Sequence, residues 1–95
     1  VYQKGRRIPG RCFVAYCWAA GPQPRARVGI AVPRALGSSV VRNRIKRRLR
    51  EAVRLNLDQL GEQWNVVLQA RKPALDADFT ALMREVQRLF SLCAP

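Results

Sequence analysis

The first fifty residues of this chain contain thirteen Lys or Arg and not one Asp or Glu, while residues 51–95 contain five basic and six acidic residues. The whole of the +12 net charge therefore belongs to the first half. Because 48% of the residues are hydrophobic, the chain is expected to fold and not to behave as a disordered basic tail. Ninety-five residues suffice for one domain, 1–95, with one modest core. The cations must then crowd the surface of a globule, where their mutual repulsion costs stability that a polyanionic partner would restore. Fifteen of the eighteen are Arg, the exceptions being Lys4, Lys46 and Lys72. Arg offers a planar fork that grips phosphate bidentately and stacks on bases, which suits structured RNA.

Several classes of function find no support. Cys12, Cys17 and Cys93 are odd in number and lack metal-site spacing, and the absence of His removes a Cys/His zinc site. They read as reduced, buried, small hydrophobes. No carboxylate pair sits in an apolar setting and no nucleophile has an evident base, so no catalytic residue and no metal ligand is assigned. Asp76 and Asp78 read as acids at a helix start. No apolar run approaches a membrane span and no signal-peptide pattern opens the chain, so a cytoplasmic protein with neither a membrane nor a small-molecule substrate is expected.

Residues 11–18 are β-prone and apolar on both faces: Cys12, Val14, Tyr16 and Trp18 point one way, Phe13, Ala15 and Cys17 the other. One face can join a core; the other needs a second covering element or a ligand. Residues 21–24 form a turn, residues 27–32 a second strand ended by Pro33, and the two strands are expected to pair as a hairpin. Ser38 or Ser39 caps a helix whose Val41, Ile45, Leu49, Ala52 and Val53 fall on one stripe. It frays near residues 56–61. Residues 64–70 make a third strand, and Pro73 leads into a last helix with Leu75, Phe79, Leu82, Met83, Val86, Leu89, Phe90 and Cys93 on a broad core face. The order is β-β-α-β-α, an α/β class with helices covering a sheet.

The first helix carries the functional signal. Residues 42–54 hold seven basic residues and one acid. At 100° per residue, Arg42, Lys46 and Arg50 form an i, i+4, i+8 ladder beside the apolar stripe, with Asn43 between it and the row of Arg47 and Arg54. Like charges so spaced cost an isolated helix a few tenths of a kcal/mol per pair, with local relief only from Glu51 to Arg47 or Arg54. Such a face is expected to meet phosphates. A solvated basic helix, nuclear targeting, an anionic lipid surface or duplex DNA are the competing readings.

Here a resemblance becomes close. Gly37, Val40, Arg42-Asn43-Arg44, Lys46-Arg47 and Arg50-Glu51 resemble the signature helix of the bacterial ribonuclease P protein component. Gly5, Phe13-Val14 and Tyr16 resemble that family's first strand, Arg27-Val28-Gly29-Ile30 its second, and Asn65-Val66-Val67 through Ala70-Arg71 its third. Ser39, Ala35 and Asn65 depart from the family's usual Ala, basic residue and Asp. The resemblance implies a small α/β sandwich with a mixed sheet and a left-handed β-α-β crossover, an exception to the usual hand. It implies a subunit of an endonuclease whose chemistry and Mg²⁺ belong to the RNA subunit, with ribonuclease P RNA and the 5′ leader of precursor tRNA as partners. By position, Arg34, Arg42, Asn43, Arg44, Lys46, Arg47 and Arg50 would meet RNA, while Tyr2, Val14 and Tyr16 would line a leader cleft. One strand face would then be a stacking platform, the alternative being a second core layer. The chain begins where the family has passed its first helix, so that wall of the cleft is expected to be missing. A structural RNA binder, such as a ribosomal protein or RNA chaperone, is the alternative function.

Overall fold

A computed structural model describes residues 5–19, 26–60 and 64–93. Strands β1 (Arg6–Pro9), β2 (Phe13–Ala19) and β3 (Arg27–Ala31) precede helix α1 (Ser39–Asn56), followed by β4 (Trp64–Ala70) and α2 (Phe79–Cys93). Short 3-10 turns at Arg34–Leu36, Leu57–Gln59 and Lys72–Leu75 link them. The sheet order is β1-β2-β4-β3, with β2 antiparallel to β1 and β4, and β3 parallel to β4. Parallel neighbours require a crossover, and α1 supplies it.

The period-2 pattern of β2 sorts its two faces. Phe13, Ala15 and Cys17 are fully buried against the helices, together with Val66, Leu68 and Ala70 of β4. Val28 and Ile30 of β3 pack on the same core from the edge. From the helices come Ile45, Leu49, Ala52 and Val53 of α1 and Leu82, Val86, Leu89, Phe90 and Cys93 of α2. Each fully buried Leu, Val or Phe contributes about 1.5–3 kcal/mol, so this single layer holds the fold together.

One pairing and the element order are corrected. Residues 11–18 and 27–32 do not form a hairpin, because β4 lies between them. Val66, Val67 and Leu68 make β4 apolar on both faces and suit it to the centre, whereas β3 alternates exposed and half-buried residues and suits an edge. The order is also β-β-β-α-β-α, since β1 was not expected. Its four residues bury only Ile8, too little to leave a period.

The ends of the elements follow local chemistry. The Ser38 hydroxyl caps α1 by accepting the Val41 amide at 3.4 Å. Gly37 before it has φ 144°, a region that favours glycine. The last residue of α1, Asn56, is buried and donates its side-chain amide to the Ala52 carbonyl at 2.9 Å. Cys12 sits in the β1–β2 turn and joins the helix-side core, not the Val14 face expected for it. Leu75 is likewise not on the core face of the last helix. It ends the 3-10 turn that holds Pro73, 37% exposed, and α2 starts afresh where Asp78 accepts the Ala81 amide at 2.8 Å. The turn expected at 21–24 and the end of the fraying segment, at Gly61, lie outside the described residues.

Candidate nucleic-acid interface

The arginines of α1 fall on three sides of the helix. Ile45, Leu49, Ala52 and Val53 turn one side to the core. Arg48, on the flank toward α2, donates to the Ala77 carbonyl just before that helix. Arg42, Lys46 and Arg50 occupy the opposite flank, Arg42 and Lys46 half-buried and Arg50 exposed. The Arg42 guanidinium reaches back to the Ser39 hydroxyl at 3.5 Å, while its buried Nε has no hydrogen-bond partner among the described residues. A buried donor left unpaired costs about 1–3 kcal/mol, a cost an incoming acceptor would remove.

The outward side carries exposed Asn43, Arg44 and Arg47. With Arg48 and Val40, they line a cleft of about 490 Å³. Val40 is 79% exposed, an apolar residue in the midst of cations. Arg34 stands exposed in the 3-10 turn between β3 and α1. Among the described residues the only ion pair on α1 joins Arg54 to Glu51, whose hydrogen bond holds the Glu51 carboxyl below its usual range. The pair that relieves the helix is thus Glu51 with Arg54, not Arg47.

The second surface is the sheet face turned away from the helices. Residues paired across strands share a face, so the register places Arg7, Tyr16, Val67 and Gly29 in one row. Pro9, Val14, Gln69 and Ala31 form the next row, and Trp18, Asn65 and Arg27 another. Tyr16 and Trp18 are half-buried, with exposed Arg7 and Arg27 on the flanking strands. Val14, at 5% exposure, presents little surface, although it stands apart from the helix-side core. Tyr2 lies outside the described residues.

Edge strand β3 separates the two surfaces: α1 lies on its core side, and Arg27 faces the platform. Sequence reasoning assigned no role to Trp18, Arg7 or Arg27. The alternation of residues 12–18 already put Trp18 beside Tyr16, but the two arginines join them only through strand pairing, which sequence spacing does not reveal. Among the described residues, no group of three or more His, Cys, Asp or Glu is placed to hold a metal ion, and no helix is long and apolar enough to cross a membrane.

Comparison with known proteins gives one answer. The family model described as "Ribonuclease P" matches residues 1–93. A ribonuclease P protein component from Symbiobacterium thermophilum is 43% identical over 90 residues, covering 95% of this chain and 78% of that protein. The ribonuclease P protein of Staphylococcus aureus superposes with a TM-score of 0.83 at 28% identity, over 97% of this chain and 84% of the other. That of Thermotoga maritima shares the fold with a TM-score of 0.89 at 24% identity, over 100% and 89% of the two chains.

Proposed function

The chain belongs to the ribonuclease P protein family, and from that premise we propose that it binds the catalytic RNA of ribonuclease P and the 5′ leader of precursor tRNA. The observation that carries this reading is the ladder of Arg42, Lys46 and Arg50, unbalanced by acids and fixed to a core-packed helix. A polyanionic catalyst needs counter-charge to fold and to hold a polyanionic substrate. Arginines already ordered by the packing of α1 supply it at little entropic cost on binding.

In this assignment Arg34, Arg42, Asn43, Arg44, Lys46, Arg47 and Arg50 meet phosphates or sugars of the RNA, Arg42 doing so at the edge of the leader path. Tyr16, with Val14 behind it, offers the leader a stacking surface worth about 1–3 kcal/mol per base. Tyr2 is assigned to the same path by family position alone. The chain performs no bond-breaking step; cleavage and its Mg²⁺ belong to the RNA subunit.

Reconstitution tests the proposal. Added to a bacterial ribonuclease P RNA at low Mg²⁺, the protein is expected to raise the rate of precursor-tRNA cleavage. RNA binding without stimulation would identify a structural RNA binder instead. If about five phosphates are engaged, affinity should fall with a log–log salt slope of roughly −3 to −4.

A further inference from the structure

The five cations of the second half of the chain have three different fates. Arg54 is paired with Glu51, and Arg71 donates to the Gly10 carbonyl at 2.9 Å. The other three, Lys72, Arg84 and Arg88, line one cleft together with Arg11 from the β1–β2 turn. This cleft, about 720 Å³, lies between that turn, the β4–α2 connection and the outer side of α2. It shares no lining residue with the cleft on α1.

Two acids also line it, Asp76 and Glu85. Glu85 is already engaged, since its Oε2 accepts the amides of Cys12 at 2.8 Å and Phe13 at 3.1 Å. Among the described residues, none of the four cations makes an ion pair with either acid. All four are exposed. Arg84 and Arg88, one helical turn apart on α2, repel each other, as do the cations on α1. A half-chain with a net charge of −1 thus directs its unpaired positive charge to one place.

Resting on the proposed function, we infer that this cleft is a second docking point for the RNA subunit, gripping phosphodiester groups of its backbone. The occupant is the RNA subunit and not the leader, because the platform assigned to the leader lies on the sheet face turned away from α2. Arg48 connects the two cationic regions, reaching from α1 to Ala77 on the rim of this cleft. An RNA backbone passing from the cleft on α1 to this one would meet Arg48 between them.

The test compares Arg84→Ala/Arg88→Ala with the unaltered protein in binding a bacterial ribonuclease P RNA transcript across a salt series. Both side chains are exposed and repel each other, so the thermal midpoint should not fall. Loss of two phosphate contacts should weaken binding roughly tenfold near 0.15 M salt and flatten the log–log slope by about 2. The charge-preserving Arg84→Lys/Arg88→Lys should restore the slope; failure to do so would overturn the electrostatic assignment. Unchanged affinity and slope, alongside a clear loss for Arg42→Ala/Arg50→Ala, would overturn the second docking point and leave the proposed function standing. A wild-type slope near zero would instead overturn the proposed function itself. A defect seen only with leader-bearing precursor tRNA would overturn the choice of occupant.

Discussion

The Glu85 carboxylate on α2 accepts the Cys12 amide at 2.8 Å, joining residues 73 positions apart. The same oxygen takes the Phe13 amide at 3.1 Å, so one side chain satisfies two backbone donors where β2 begins. Arg71 closes the turn from the other side, donating to the Gly10 carbonyl while its own amide reaches the Cys12 carbonyl at 2.8 Å. Glu85→Ala would leave the two amides without a protein acceptor, at a cost of about 1–3 kcal/mol. Urea unfolding of Glu85→Ala should show that loss, and a wild-type midpoint would rule it out. Gly10→Ala should destabilise for a related reason, because a Cβ there would overlap the same carboxylate and the Phe13 carbonyl.

Gly37 makes a second backbone prediction. Its φ of 144° strains any L side chain, and a Cβ would come within 3.1 Å of the Val41 side chain. Gly37→Ala should therefore cost about 1–3 kcal/mol. The strain falls next to the Ser38 cap, so RNA affinity should fall with stability. A variant as stable as the parent would show that α1 can shift to accept the side chain.

The three cysteines are free and buried, and the thiols of Cys12 and Cys93 give a pH dependence. Burial, then the neighbouring Glu85, raises the Cys12 thiol above 9.0, and burial, then contact with Cys17, raises that of Cys93. Below the pKa of an exposed thiol both states keep the proton and nothing is lost. Above about pH 9 the unfolded chain releases protons that the folded one retains, so stability falls as pH rises. The urea midpoint should drop between pH 8 and pH 10, and iodoacetamide should label Cys93 no faster than the protein unfolds. Rapid labelling of Cys93 under native conditions would contradict its burial.

Which features could be read from sequence follows from the range of the forces involved. Helix α1 was legible because its stripe, its Ser38 cap and its ladder are all local. β4 was legible from Val66 to Leu68, and the two-faced pattern of β2 put Phe13, Ala15 and Cys17 on one side and Tyr16 and Trp18 on the other. Pairing was not legible. Nothing near residues 27–32 says that β4 will come between them and β2, so the loop-joined hairpin was the natural but incorrect expectation. The cleft of Arg11, Arg84 and Arg88 was hidden for the same reason: its members meet only because α2 packs beside the β1–β2 turn. Leu75 was misplaced because its apolar period continues across the break between the Lys72–Leu75 turn and α2, which starts afresh after Asp78.

The separation of ladder and platform by β3 predicts that their variants will fail differently. Arg42→Ala and Arg50→Ala remove charge from the α1 flank, so each should weaken binding of the RNA subunit whether or not substrate is present, and each should flatten the salt slope by about 1. Tyr16→Ala and Trp18→Ala remove ring surface and no charge. They should leave that slope unchanged and weaken only precursor tRNAs whose leaders are long enough to reach the platform, by about 1–3 kcal/mol per lost stack. Affinities measured for RNA subunit alone, then for holoenzyme with precursors of graded leader length, resolve the two classes. Equal effects from all four substitutions on both measurements would show that the sheet face and the helix flank act as one surface. The ladder on α1 would then need to be assigned to leader and RNA subunit together.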